Sequence, residues 1–157
     1  MGPKTHTTAI VLIPPRDARE PVQAIRRRHD RQVRRWMPHI TLVYPFLPPA
    51  SFDVLDGPLA AAARAVPAFD VELREFGRFR HGHRSWTVWL APEPAAALAD
   101  LEAALRAACP DCDDQERHPG GFHPHLSVGQ FRGTEEALRE FMSPVDPSSR
   151  RAMSLRA

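Results

Sequence analysis

Two short segments of the chain repeat one pattern. Pro38-His39-Ile40-Thr41-Leu42 and Pro124-His125-Leu126-Ser127-Val128 each place a histidine and a hydroxyl residue two positions apart, after a proline and among aliphatic residues. Side chains of a β-strand alternate between its faces, so each histidine would share a face with its hydroxyl while the aliphatic residues point into a core. The segments lie about half the chain length apart, as in a duplicated lobe. The pattern therefore predicts two related strands that face each other across one cleft.

Two other His-x-Thr/Ser triplets occur in the chain, and we attribute both to chance. His6-Thr7-Thr8 and His83-Arg84-Ser85 have neither the preceding proline nor an aliphatic residue between the two polar ones. A single triplet of this kind is a weak signal. The shared context of the two longer segments is what makes them a candidate site.

Two facing histidines suit acid–base cleavage of a phosphodiester. A neutral imidazole takes a proton from water, a protonated one donates a proton to the departing ribose oxygen, and a reference pKa of about 6.5 allows both roles. Thr41 and Ser127 would donate hydrogen bonds to the non-bridging phosphate oxygens. This scheme requires no metal ion and no cofactor.

The rest of the chain alternates short apolar runs with amphipathic segments. Hydrophobic periodicity predicts strands over residues 8–13, 36–46, 69–79, 86–90 and 122–131, and helices over residues 17–35, 51–66, 94–108 and 134–142. We expect one domain over residues 1–142 and a frayed tail over residues 143–157, which are rich in proline, serine and arginine.

The first predicted helix combines an apolar stripe with a basic face. Val22, Ile25, His29 and Val33 follow helical spacing. The arginines between them are assigned to the outer face: Arg26, Arg27, Arg28, Arg31, Arg34 and Arg35. Such a face either attracts a polyanion or is simply solvated. The hairpin tip formed by Arg78, Arg80, His81, His83 and Arg84 has the same two interpretations.

Composition limits the class of protein. With 157 residues, 43% hydrophobic residues and a net charge of only +2, the chain predicts a globular domain rather than a polycation. The charged N-terminus precedes no signal-peptide core, and no apolar run is long enough for a membrane span. We therefore expect a cytoplasmic monomer that does not associate with membranes.

The two motifs, extended to residues 38–46 and 122–131, resemble the signature motifs of the 2H phosphoesterase superfamily. That superfamily includes bacterial RNA 2′,3′-cyclic phosphodiesterases, also called 2′-5′ RNA ligases. The resemblance covers roughly residues 8–142. It implies an α+β, bilobal and pseudo-symmetric fold in which two antiparallel sheets form a central cleft with helices outside. It also implies that His39, Thr41, His125 and Ser127 form a catalytic tetrad.

By the same resemblance His125 is the base and His39 the acid, although the two roles are interchangeable on the sequence alone. The substrate would be an RNA end or a small cyclic nucleotide. We predict that it contacts residues beside the motifs: Tyr44, Phe46, Gln130, Phe131 and Arg132. The aromatic rings would stack on a base, or else pack in the core.

The chain departs from its relatives in two ways. Many of them carry a basic residue shortly after the second motif, where this chain has Gln130, with Arg132 two positions further. A neutral amide stabilises less negative charge than a guanidinium. Relatives also usually have another strand after the last helix, where this chain has its short tail.

Three alternatives stay open on the sequence. Cys109 and Cys112 have the CxxC spacing of a zinc site, with His118, His123 and His125 downstream. A non-catalytic RNA- or nucleotide-binding module would keep the cleft without using the histidines. The third alternative keeps the enzyme but changes its substrate to a small cyclic nucleotide, an ADP-ribose cyclic phosphate or a 2′-5′ linked oligonucleotide.

Overall fold

The computed structural model describes residues 2–117, 119–143 and 153–155. Within them, six strands and four α-helices follow one another along the chain. They are β1 (Ile10–Leu12), α1 (Arg16–His29), β2 (Ile40–Val43), α2 (Phe52–Ala65), β3 (Phe69–Gly82), β4 (Ser85–Glu93), α3 (Ala95–Ala108), β5 (Leu126–Arg132), α4 (Glu135–Met142) and β6 (Met153–Leu155).

The strands form two antiparallel sheets, as the resemblance to the 2H phosphoesterases implied. One sheet pairs β1 with β2, and the other has the order β5-β4-β3-β6. The two motifs lie in different sheets, since Thr41 belongs to β2 and Ser127 to β5. Each motif histidine immediately precedes its strand, and the proline before each histidine is buried.

Helix α1 ends six residues earlier than the periodicity predicted. Its last residue is His29, and Asp30 has extended backbone angles while its N–H still donates to the carbonyl of Arg26 at 2.8 Å. The Asp30 carboxylate then accepts the N–H of Gln32 at 2.9 Å. Because an aspartate side chain that bonds a backbone N–H two residues on stabilises a turn, Asp30 ends the helix.

The buried stripe of α1 also differs from the predicted one. Ala18, Val22 and Arg26 are buried, whereas His29 is exposed. Arg26 was assigned to the outer basic face, but only 3% of its surface is exposed. The periodicity placed Val22 and Ile25 correctly against the core, but it assigned Arg26 to the wrong face because an arginine was not expected within the apolar stripe.

The second half of the chain follows the prediction more closely. The hairpin strands β3 and β4 are longer than predicted, and β5 starts at Leu126 instead of Phe122. Thr134 caps α4 as expected, since its side-chain oxygen accepts the N–H of Ala137 at 3.2 Å. Within the segment 143–157, where we predicted fraying, Met153–Leu155 pair with Phe69–Val71 of β3. The other residues from 144 onwards lie outside the described part of the chain.

One hydrophobic core connects the two sheets and the helices. Its fully buried members include Ile40 and Leu42 of β2, Leu98 of α3, and Leu126 and Val128 of β5. Both motifs therefore direct their aliphatic residues into this core, which leaves the histidine and hydroxyl residues on the opposite side. No helix in the described part of the chain is long and apolar enough to cross a bilayer.

Candidate active site

A cleft of about 240 Å³ contains both motifs. Its lining residues come from helix α1 and the turn after it, and from strands β2, β4 and β5 with the histidines that precede β2 and β5. The lining residues are Arg26, Asp30, Gln32, Trp36, Met37, His39, Thr41, Thr87, His125, Ser127 and Gln130. The four residues predicted to form a catalytic tetrad are thus brought together from two sheets.

The two histidines are held in the same way. The Nδ1 of His39 lies 2.7 Å from the carbonyl oxygen of Met37, and the Nδ1 of His125 lies 2.8 Å from that of His123. A carbonyl oxygen only accepts, so each Nδ1 carries a proton and donates it. Each Nε2 is then the atom that loses or gains a proton. Both rings therefore have an Nε2 that acts as a base when the ring is neutral and as an acid when it is protonated.

The hydroxyls of Thr41 and Ser127 are available to a ligand. Both side chains are half-buried and line the cleft. Neither hydroxyl has a side-chain or backbone partner among the described residues. Each one can therefore donate a hydrogen bond to an oxygen atom held beside the imidazoles.

Aromatic rings cover one side of His125. The ring of Phe79 stands perpendicular to the imidazole with centroids 4.9 Å apart, and Trp89 lies at 6.2 Å. Burial lowers the pKa of His125 below its ordinary value of 6.5, and the charges of His123 and His39 act in the same direction, while the hydrogen bond to the carbonyl of His123 opposes them. His125 is therefore neutral over more of the pH range than an exposed histidine.

A buried ion pair forms part of the cleft wall. The Nε of Arg26 donates to Oδ2 of Asp30 at 2.7 Å, and both side chains are 3% exposed. The Nε2 of Gln130 donates to Oδ1 of Asp30 at 3.1 Å. The Oε1 of Gln130 accepts the backbone N–H of Arg31 at 3.0 Å. The amide of Gln130 thus holds the end of α1 against β5. Both its oxygen and its nitrogen already form hydrogen bonds within the protein.

Two large apolar side chains stand at the edge of the cleft. Trp36 is 39% exposed and Met37 is 46% exposed. The ring of Trp36 lies 6.1 Å from that of His39, and the guanidinium of Arg35 lies 5.5 Å from the Trp36 ring centroid. An exposed indole beside a candidate catalytic histidine is a surface on which a nucleobase can stack.

The hairpin contributes to the cleft through one hydroxyl. Thr87 of β4 lines the cleft, and its Oγ1 lies 2.7 Å from Nε2 of His81 on β3. Of the basic hairpin residues considered as a polyanion contact, His81 is therefore the one tied to a cleft residue. The strand pairing explains this contact. Phe79 lies opposite Thr87, and His81, two residues after Phe79 on β3, is a diagonal neighbour of Thr87 on the same face.

Most of the substrate-binding residues predicted from the sequence lie elsewhere. Phe46 is 3% exposed in the core, so it does not fit a stacking role. Phe131 stacks on Phe141 at 5.7 Å, and the hydroxyl of Tyr44 lies 3.3 Å from Nδ1 of His6. Tyr44, Phe131 and Arg132 are not among the described residues that line the cleft. Gln130 does line it, although its amide is bonded to protein.

The cysteine pair does not form a metal centre with described residues. Cys109 and Cys112 are buried, and the Sγ of Cys109 donates to the carbonyl of Leu105 at 3.1 Å. Burial, followed by the neighbouring Cys112, raises the pKa of Cys109 to about 12, so this thiol stays protonated. No group of three or more His, Cys, Asp or Glu side chains in the described part of the chain is arranged to hold a metal ion. His118 lies outside the described residues.

The sequence did not indicate six of the cleft residues: Arg26, Asp30, Gln32, Trp36, Met37 and Thr87. The spacing of Ala18, Val22, Arg26 and Asp30 by four residues was a usable signal, because it places a charged pair on the buried side of a helix. Trp36 and Thr87 gave no such signal. Their position depends on the turn after α1 and on the pairing of β4 with β5.

Comparisons with known proteins agree with this fold. A family model described as the 2′-5′ RNA ligase superfamily matches residues 14–152. A solved structure described as "Crystal structure of phosphoesterase" has a TM-score of 0.59 and 20% sequence identity, covering 91% of this chain and 81% of that chain. At that identity the likeness concerns the fold, and it supports the predicted α+β arrangement. No curated protein matches the sequence.

Proposed function

Because the chain belongs to the 2′-5′ RNA ligase superfamily, we propose that it is a phosphodiesterase that opens 2′,3′-cyclic phosphates at RNA ends. Membership supports chemistry of the phosphodiesterase or ligase type. The observation that carries the finer proposal is the matched pair of histidines, each with its Nδ1 bonded to the carbonyl two residues earlier and its Nε2 left for the substrate.

In the proposed reaction, water attacks phosphorus while Nε2 of His125 takes one of its protons. The bond between phosphorus and one ribose oxygen breaks, and Nε2 of His39, initially protonated, donates its proton to that oxygen. A phosphomonoester and a free hydroxyl result, and His39 and His125 regain their starting states by exchange with solvent. The lowered pKa of His125 supports its assignment as the base, because a neutral imidazole is required at the start.

The hydroxyls of Thr41 and Ser127 hydrogen-bond the non-bridging oxygens. Negative charge on these oxygens increases as water attacks, so the hydrogen bonds strengthen in the transition state. The two histidines supply both proton transfers, and we therefore propose that the reaction proceeds without a metal ion.

An RNA strand is favoured over a mononucleotide by the turn that follows α1. Arg31, Arg34 and Arg35 are exposed there. None of the three forms an ion pair with a described residue. Cations without an ion-pair partner, beside a cleft with an exposed indole, suit the phosphates and bases of a single strand. In a chain whose net charge is only +2, this concentration of positive charge is local.

The test is hydrolysis of an RNA oligomer ending in a 2′,3′-cyclic phosphate, in the presence of EDTA. Wild type should open the cyclic end, and His39→Ala and His125→Ala should each lower turnover by about 10²- to 10⁴-fold. His83→Ala is the matched control, because His83 belongs to a chance triplet in the hairpin turn and should leave turnover unchanged. The 2′- or 3′-phosphate formed identifies the ester bond that breaks.

Other outcomes would contradict the proposal. Activity that disappears with EDTA and returns with zinc would favour a metal mechanism. RNA binding with no cleavage, and with the same affinity in both histidine variants, would favour a binding module. Cleavage of a small cyclic nucleotide but not of RNA ends would support the proposed reaction and contradict the proposed substrate.

A further inference from the structure

We propose that Arg26 of α1 contacts the substrate phosphate, and that Asp30 and Gln130 position its guanidinium. This inference rests on the proposed function, since it concerns the same cleft. Arg26 combines three properties that are seldom found together: it is charged, it is 3% exposed, and it lines the cleft that contains both histidines.

The hydrogen bonds of Arg26 leave one end of the guanidinium free. Nε donates to Asp30 at 2.7 Å, and Nη1 donates to Oε1 of Gln23 at 2.9 Å. Nη2 has no partner among the described residues. Nη2 is not among the side-chain atoms that are buried without a hydrogen-bond partner, so it is accessible to solvent. An anionic oxygen in the cleft can therefore accept a hydrogen bond from it.

Asp30 and Gln130 hold this guanidinium in place. The Asp30 carboxylate accepts from Arg26, from the N–H of Gln32 and from the amide of Gln130. Gln32 and Gln130 both donate to Oδ1 of Asp30, so only Oδ2 pairs with Arg26. The carboxylate therefore orients the guanidinium through one oxygen and not through both. Gln130 comes from β5, the strand that also carries Ser127. The network therefore ties the position of Arg26 to the strand of the second motif.

A phosphate diester is the ligand that this arrangement fits. Arginine is never deprotonated at ordinary pH, and its planar donors match phosphate oxygens. The free hydroxyls of Thr41 and Ser127 line the same cleft as donors to the same kind of oxygen. A guanidinium would add a positive charge that neither hydroxyl nor the Gln130 amide provides.

The first experiment measures binding of inorganic phosphate, followed through the imidazole NMR signals of the protein, so that no turnover is required. Wild type is compared with Arg26→Gln/Asp30→Asn, which replaces both members of the ion pair by neutral polar side chains. We expect phosphate to bind the double variant at least 10-fold more weakly, and kcat/KM for the cyclic RNA end to fall by about 10- to 100-fold. Arg27→Gln is the control, because Arg27 is exposed and pairs with Glu20 on the surface at 2.8 Å.

Thermal unfolding checks that the double variant is folded. If it is not, Arg26→Lys takes its place, since lysine keeps the charge but loses the planar fork, and phosphate affinity should fall severalfold. Gln130→Leu tests the positioning role. It should weaken phosphate binding in wild type, but have little further effect once Arg26 has been replaced, because the two residues act through one contact.

Phosphate affinity and kcat/KM within twofold of wild type in a folded Arg26 variant would overturn the inference. If RNA ends are hydrolysed and Arg26 does not matter, the inference fails and the proposed function stands. If no cyclic phosphate is hydrolysed but phosphate binding depends on Arg26, the proposed function fails and the anion site stands.

Discussion

Gly129 of β5 and His29, the last residue of α1, touch at the level of their backbones. A Cβ at Gly129 would lie 2.7 Å from both Cβ and the carbonyl oxygen of His29. The residues that follow them are Gln130 and Asp30, whose side chains are joined by a hydrogen bond of 3.1 Å. The absence of a side chain at position 129 therefore allows the helix end to approach the strand closely enough to complete the cleft wall.

Gly129→Ala should destabilise the protein and impair the site together. Overpacking typically costs about 1–3 kcal/mol, and here the methyl group would meet backbone, which cannot move aside as a flexible side chain can. We expect a lower free energy of unfolding by denaturant titration, and a lower kcat/KM because Asp30 shifts away from Gln130. Gly82→Ala is the control, since nothing lies within 4 Å of a Cβ there. Equal stability of the two variants would contradict the close contact.

Removing either motif hydroxyl should cost less than removing either histidine. Thr41→Val and Ser127→Ala each remove one donor to the phosphate oxygens, and we expect kcat to fall by no more than about 10²- to 10³-fold. Thr41→Ser and Ser127→Thr keep a hydroxyl and should retain most of the activity. Steady-state kinetics on the cyclic RNA end give this comparison. If Thr41→Ser and Ser127→Thr are as inactive as the variants that lack the hydroxyl, the loss of activity is not due to the loss of the hydroxyl.

The pH dependence should reflect the lowered pKa of His125. If His125 is the base, kcat/KM rises with pH through a midpoint below 6.5, since the neutral ring is the active form. Phe79→Ala removes the ring that stands 4.9 Å from the imidazole and should move this midpoint upwards. Phe69→Ala, on the same strand but away from the cleft, should leave the midpoint unchanged. If the midpoint is the same in wild type and in Phe79→Ala, a group other than His125 is responsible for it.

The same lowered pKa has a consequence for stability. Between the lowered pKa of folded His125 and the ordinary value of about 6.5, the unfolded chain binds a proton more readily than the folded one. The contribution of His125 to the free energy of unfolding is therefore complete above pH 6.5 and decreases as pH falls through this window. His125→Asn should reduce the loss of stability on acidification, which denaturant titrations at several pH values would measure.

Trp36 and Tyr44 offer a direct comparison of the structural and the sequence assignments. Trp36 lines the cleft, and Tyr44 does not. Because stacking on one base is worth about 1–3 kcal/mol, Trp36→Ala should lower kcat/KM by roughly 5- to 150-fold, mainly through KM. Trp36→Phe should recover part of the loss, and Tyr44→Ala should have little effect. The opposite ranking in a kinetic assay would favour Tyr44, the residue assigned from the sequence, over Trp36.

The three arginines after α1 should govern the salt dependence of RNA binding. Each phosphate contact to a single strand contributes about 0.7 to the slope of log affinity against log salt, so replacing Arg31, Arg34 and Arg35 by glutamine should reduce that slope by about two. Arg16, Arg64 and Arg139 are exposed on other parts of the helices and serve as a control of equal charge. Titrations of wild type and both triple variants at several salt concentrations provide the test. An unchanged slope in the first variant would place the RNA strand elsewhere.

Local patterns predicted a large part of the fold. The alternation in each motif placed Ile40, Leu42, Leu126 and Val128 in the core, where all four are buried. The leucines of α3 and the Thr134 cap of α4 also follow from a few neighbouring residues. Such signals depend on steric and hydrogen-bonding preferences that act within one or two turns of chain, so they can be read without the tertiary structure.

The sequence by itself determined the two strands, the direction of their aliphatic residues and therefore which residues could be catalytic. Tertiary structure decided which residues surround them. Arg26 is buried beside Asp30, whose carboxylate accepts a hydrogen bond from Gln130 of β5, and Phe46 is buried by the core. The contacts of Gln130 and of Phe46 join residues far apart in sequence, and their free energies are comparable to the local preferences and override them. Trp36 is at the cleft because α1 ends early at Asp30, and its place relative to the two strands depends on the same packing.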